Sequence, residues 1–123
     1  MYVDMTKLLE KYLKYADQQR DCTLSGDYRH GNMAARKLER IDQQLKDMTD
    51  TSAVYRFIDS ILETENPNTI MWISLVCHQL QYRLPMIMEK LTAYSTDDTL
   101  GILSFNAMMV LKQITSAPQN KGK

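Results

Sequence analysis

The sequence predicts an all-α protein of about six helices, and three observations carry that prediction. Apolar residues recur at steps of three and four along nearly the whole chain, the period of helices with one buried face. Four Gly and three Pro in 123 residues leave long runs with neither, which disfavours a sheet with many turns. Residues 57–111 also repeat themselves at an offset of about 30: Phe57 falls on Ile87, Ile61 on Leu91, Thr69 on Thr99, Ile70 on Leu100, Ile73 on Leu103, Ser74 on Ser104, Cys77 on Ala107 and Leu80 on Val110. Such a period marks stacked helical units, because one helix pair cannot bury its apolar face alone.

The elements follow in order. A first helix over residues 4–24 carries Met5, Leu8, Leu9, Tyr12, Leu13 and Ala16 at helical spacing. Gly26 suits the left-handed conformation that closes a helix, and Asp27 can accept from the free N–H groups of the next one. That second helix runs to Met48 with Ala34, Leu38, Ile41, Leu45 and Met48 as its stripe, and Gly31 permits close approach to the first helix. Together they form a helical hairpin. Residues 49–52 are capping residues for a third helix whose buried stripe is Val54, Phe57, Ile58, Ile61 and Leu62. Asn66-Pro67 starts a fourth, over 67–82, with Asn as N-cap and Pro where its missing N–H removes no bond. Ile70, Ile73, Cys77 and Leu80 take one face and Trp72, Leu75 and Val76 the next, which places this helix centrally, between the second and sixth. Leu84-Pro85 breaks the chain, and Met86, Ile87, Leu91 and Tyr94 build a short fifth helix. Thr96 or Asp97 caps the sixth, over 98–115, with Leu100, Leu103, Ala107, Val110 or Leu111, and Ile114 buried. Its second stripe, Ile102, Phe105 and Met109, is expected to find no later element to cover it.

A chain of this length fits one domain, 1–115, and the tail 116–123, with Pro118, Gly122 and two lysines, is expected to fray. Charges interrupt the N-terminus every few residues and no apolar run approaches about 18, so a cytoplasmic location without membrane contact is expected.

No catalytic constellation is legible. His30 and His78 stand far apart with no nucleophile or ligand set at a defining spacing, and both read as solvent-facing or hydrogen-bonded structural residues. Cys22 and Cys77 lack metal-ligand spacing and read as reduced, packed side chains. Asp97-Asp98 reads as capping chemistry at a helix N-terminus. The chain is therefore expected to be no enzyme and to need no cofactor and no metal.

Charge is balanced overall but unevenly spread. Residues 1–46 hold nine basic and seven acidic side chains, residues 47–98 three and eight, and residues 99–123 three lysines and no acid. Glu63, Glu65, Asp97 and Asp98 fall at helix ends in the acidic middle, where they could form a rim that attracts a basic partner. Arg29, Arg36, Lys37 and Arg40 read as solvated, or as paired with acids such as Glu39 and Asp42, and the neutral total makes nucleic acid an unlikely ligand. Trp72, Ile102, Phe105 and Met109 complete the candidate partner-binding set, since aromatic side chains and Met are enriched where proteins dock. The same stripe could serve a homodimer.

The stretch from Ala16 to Leu45, with Gly26-Asp27-Tyr28-Arg29, Asn32 and Arg36-Lys37-Leu38-Glu39-Arg40-Ile41, resembles the N-terminal hairpin of a small bacterial all-helical family known only as a domain of unknown function. Asn66-Pro67-Asn68 leading into Trp72-Ile73 and Leu80 resembles that family's second half, which is itself similar to HEAT and armadillo repeats. The resemblance covers residues 8–114. The arginine that HEAT-like units often carry early in their second helix is missing, and Ile70, Met71 and Trp72 stand in that region. What the resemblance implies is an N-terminal hairpin followed by two HEAT-like pairs in a short right-handed α-α superhelix. It also implies a non-enzymatic protein-binding role, of the kind some such proteins play as immunity proteins that block a cognate toxin domain.

Overall fold

A computed structural model describes residues 3–116, and among these all regular structure is helical. Helix α1 spans Met5–Ser25, α2 Tyr28–Asp47, α3 Thr51–Glu63, α4 Pro67–Leu80, α5 Leu84–Ser95 and α6 Ile102–Ser116, with a 3-10 turn at Asp98–Leu100 before the last.

Short acceptor side chains start four of the six helices. Asp4 accepts from the Lys7 N–H at 3.2 Å, Asp27 from His30 at 3.3 Å, Asp50 from Ala53 at 3.1 Å and Asn66 from Thr69 at 3.4 Å. Gly26 closes α1 at φ +83°, as its position predicts. Three boundaries differ from the expected ones by two residues or more. Helix α4 stops at Leu80 because Gln81 turns left-handed at φ +56°. Helix α5 begins two residues early, at Leu84, with Pro85 inside its first turn. Helix α6 begins at Ile102, not Asp98, because Gly101 at φ +58° separates it from the 3-10 turn. Ser116, the first residue of the expected tail, ends α6, and the rest of that tail lies outside the described residues.

Helices α1 and α2 pack along their length, antiparallel, since Tyr12 meets Asp42 at one end and Cys22 meets Gly31 at the other. Gly31 is buried, and a Cβ there would lie 3.1 Å from the Cys22 Cβ, so the close approach depends on the missing side chain. Helices α5 and α6 form a second close pair. Helix α4 touches all five others, as its apolar circumference requires. Ile70, Ile73 and Cys77 are fully buried, and around them Tyr12, Leu38, Leu45, Ile58, Ile61, Ile87 and Leu91 complete one core. Burying each large aliphatic side chain contributes about 1.5–3 kcal/mol. No helix among the described residues is long and apolar enough to cross a membrane.

Candidate functional site

On α6, Leu103, Ala107 and Ile114 face the core, which turns Ile102, Phe105 and Met109 outward. These three keep 46%, 55% and 48% of their surface exposed. At 3.6 residues per turn they fall within a sector of about 60°. Lys112 is the single charged residue of the whole helix. An apolar face without charge is the reverse of an ordinary solvent-facing one.

Next round the helix from this stripe come Asn106 and Val110, and they form one wall of a cleft of about 210 Å³. Met71, Trp72 and Leu75 of α4 form the opposite wall, closed at one end by Gln19 of α1 and Asn68. Polar bonds hold that end in place. The Gln19 Oε1 accepts from Asn68 Nδ2 at 2.9 Å and from the Trp72 indole N–H at 3.1 Å, while Gln19 Nε2 donates to Thr23 Oγ1 at 3.0 Å. Asn68 Nδ2 donates further to the Ala16 carbonyl at 3.0 Å. The indole N–H is thus satisfied within the protein, and Trp72, half-buried, is both packing and cleft wall. Of the residues expected from the sequence, Trp72 lines this cleft and Ile102, Phe105 and Met109 stand beside it. Gln19, Asn68 and Asn106 carry no local signal, because Gln19 and Asn68 meet only where the first turn of α4 abuts the middle of α1, and Asn106 comes from α6.

Glu63 and Glu65 lie elsewhere, in a groove between α3 and α5 of about 370 Å³ that they share with Asp59, Arg83 and Lys90. Arg83, 3.2 Å away, holds the Asp59 carboxyl below its usual range, and the Tyr82 hydroxyl donates to the same group at 3.0 Å. Glu65 also lies close enough to Tyr94 for its charge to add to burial in raising that phenol's pKa. Asp97 is exposed but engaged locally, accepting from the Thr99 N–H at 3.0 Å as the cap of the 3-10 turn, and Asp98 beside it is exposed. The structure therefore joins Glu63 with Glu65 among two cations, sets Ile102, Phe105 and Met109 beside the Trp72 cleft without lining it, and places Asp97-Asp98 before the start of α6.

One expected pairing is overturned. Asp42 does not meet the basic cluster, because it lies on the Leu38–Leu45 side of α2, 7% exposed, and accepts from the buried Tyr12 hydroxyl at 2.9 Å. Burial pushes its pKa up to about 7, against the opposing effect of the Tyr12 bond. Arg29, Arg36, Lys37 and Arg40 are exposed, and the Lys37 ammonium sits 5.0 Å from the Tyr15 ring centroid. His30 bonds Asp27 through Nδ1 at 2.8 Å, as a structural histidine should. His78 is half-buried, and its Nδ1 is buried without a partner among the described residues. Cys22 and Cys77 are free thiols, and burial pushes that of Cys77 up to about 12.

Searches against protein-family models, curated proteins and solved structures return no match.

Proposed function

We propose that this chain is a non-enzymatic module that works by binding a protein, and that its docking face is the α6 stripe with the adjoining Trp72 cleft. One observation carries the reading: three large apolar side chains stand exposed on a helix face that bears no charge from Ile102 to Leu111, beside an apolar cleft. The finer reading is an immunity protein of a HEAT-like bacterial family that neutralises a toxin domain. The exposed Glu63, Glu65, Asp97 and Asp98 support it, since a basic toxin surface would be steered toward them, as does the motif resemblance. The test is partner capture from the native host with two variants. Phe105→Glu is expected to abolish capture. Joint charge reversal at Glu63, Glu65, Asp97 and Asp98 is expected to slow association and flatten its salt dependence. Capture unchanged by Phe105→Glu would sink the docking face, and unchanged salt dependence would sink the acidic contribution.

A further inference from the structure

We infer that the occupant of the α6 face is a second copy of this chain, the two α6 helices packing antiparallel across a two-fold axis on their outer side, midway between Phe105 and Met109. The inference rests on the reading of this face as a protein-docking surface.

Charge decides between orientations. Lys112 lies near the end of α6, and Asp97-Asp98 lie just before its start, in and next to the 3-10 turn that Gly101 joins to the helix. A parallel pair would set lysine against lysine and acid against acid. An antiparallel pair brings Lys112 of each copy toward the acidic turn of the other, and the two-fold axis makes that contact twice. The helix dipoles, head to tail, favour the same arrangement. Asp98 is the available carboxylate, because Asp97 is engaged by the Thr99 N–H.

Spacing decides what meets along the seam. Ile102, Phe105, Met109 and Lys112 follow one another at three, four and three residues, the a/d rhythm of a helix that packs along another. With the axis midway between them on the outer face, Phe105 of one copy faces Met109 of the other, a thioether against an aromatic ring. Ile102 then faces the aliphatic stem of Lys112, which carries the ammonium on toward the acids. The seam spans about 15 Å. Such an interface lies at the small, transient end of the range, extended where Asn106 and Val110 open into the cleft. The groove holding Glu63 and Glu65 is lined by α3 and α5 and its turn, with no residue of α6, so the dimer keeps two copies of it open.

Sedimentation of the full chain from micromolar to several hundred micromolar concentration tests this. The expected result is a concentration-dependent rise toward twice the chain mass that weakens with salt. Phe105→Glu is expected to raise the dissociation constant at least about thirtyfold, as loss of a central anchor does. Lys112→Glu is expected to weaken the dimer, and Asp98→Lys added to it to restore association. At concentrations where the parent is monomeric, melting temperatures of all variants should match it, because the altered side chains are exposed. A parent chain that stays monomeric throughout overturns the self-association, yet leaves the docking reading standing if Phe105→Glu still abolishes partner capture. A dimer indifferent to Phe105→Glu overturns the location, and failure of the charge exchange to restore association overturns the antiparallel geometry.

Discussion

The seam where α1 and α2 meet α4 and the face that α6 turns outward use polar and apolar side chains in opposite senses. In the seam, polar groups point inward and find partners: Tyr12 meets Asp42, and Asn68 meets Gln19 and the Ala16 carbonyl. Outside it, the hairpin shows charge, Arg29, Arg36 and Arg40 among it. On α6, large apolar groups point outward past a single lysine. Buried and satisfied polar groups fix one register and reject others, because a slip would strand them. The uncharged outer face leaves a surface with something still to bury. The first region specifies the fold, and the second is the one proposed above as the docking face.

The strongest test of this contrast sets one isoleucine against another. Ile73 sits fully buried on α4 at the centre of the core, while Ile102 stands 46% exposed on α6. Ile73→Ala is expected to cost about 2–5 kcal/mol of stability in urea unfolding, and Ile102→Ala, in the monomer, to stay within about 0.5 kcal/mol. Equal costs would mean that the outer face of α6 is already covered within one chain.

The second test uses pH. Asp42 carries a folded-state pKa of about 7 against an unfolded value of 3.8, so the folded state holds its proton longer. Its contribution is fully present below the unfolded value and is lost as pH rises through the folded one. Stability should fall by about 1.4 kcal/mol for each pH unit between about 4 and 7, as far as this group decides. The groups facing it are Tyr12 from α1, Lys46 and Glu39 on its own helix, and Cys77 from α4, of which Lys46 alone is a cation. Asp42→Asn keeps an acceptor for the Tyr12 hydroxyl and removes the charge, so its unfolding midpoint should lose that slope. Asp59, held low by Arg83, acts with the opposite sign and in a separate window, losing its contribution only as pH falls below the ordinary carboxylate range. A parent and an Asn variant with parallel profiles from pH 4 to 7 would show that water reaches Asp42.

Much of the fold is legible from local chemistry. Asp27 and Asn66 cap where a short acceptor precedes a periodic run, and Gly26 and Gly31 act where backbone geometry needs a missing side chain. The internal offset holds where both members are buried, as at Ile61 and Leu91, Ile73 and Leu103, or Cys77 and Ala107. It fails at Thr69 and Thr99, buried and exposed respectively, because Gly101 diverts the second copy into a 3-10 turn. What stays hidden depends on long-range pairing. Nothing about Gln81 or Arg83 announces a left-handed backbone, and Arg83 is held there by Asp59, 24 residues earlier. Asp42 reads as a partner for the basic cluster until the Tyr12 hydroxyl is known to face it. The α6 stripe is legible because its period sets Ile102, Phe105 and Met109 on a different side of the helix from Leu103 and Ala107. Its cleft is not, because α1 supplies one end of it.

The smallest of the effects bears on that cleft. Asn68 is 4% exposed, and its Nδ2 bridges the Ala16 carbonyl and the Gln19 amide, which in turn accepts from Trp72. Asn68→Ala removes both donations but strands little, since Gln19 Oε1 keeps the indole and the Ala16 carbonyl belongs to a helix. The expected cost is about 1–2 kcal/mol, below that of the core isoleucine. The same change frees Gln19 to move and loosens the end of the cleft, so Trp72 fluorescence should shift toward that of a more solvated indole. Association through Phe105 and Met109 should remain, because those side chains touch neither amide. A loss of association equal to that of Phe105→Glu would instead make the amide seam part of the docking face, and the division between a polar region that specifies and an apolar region that binds would no longer hold.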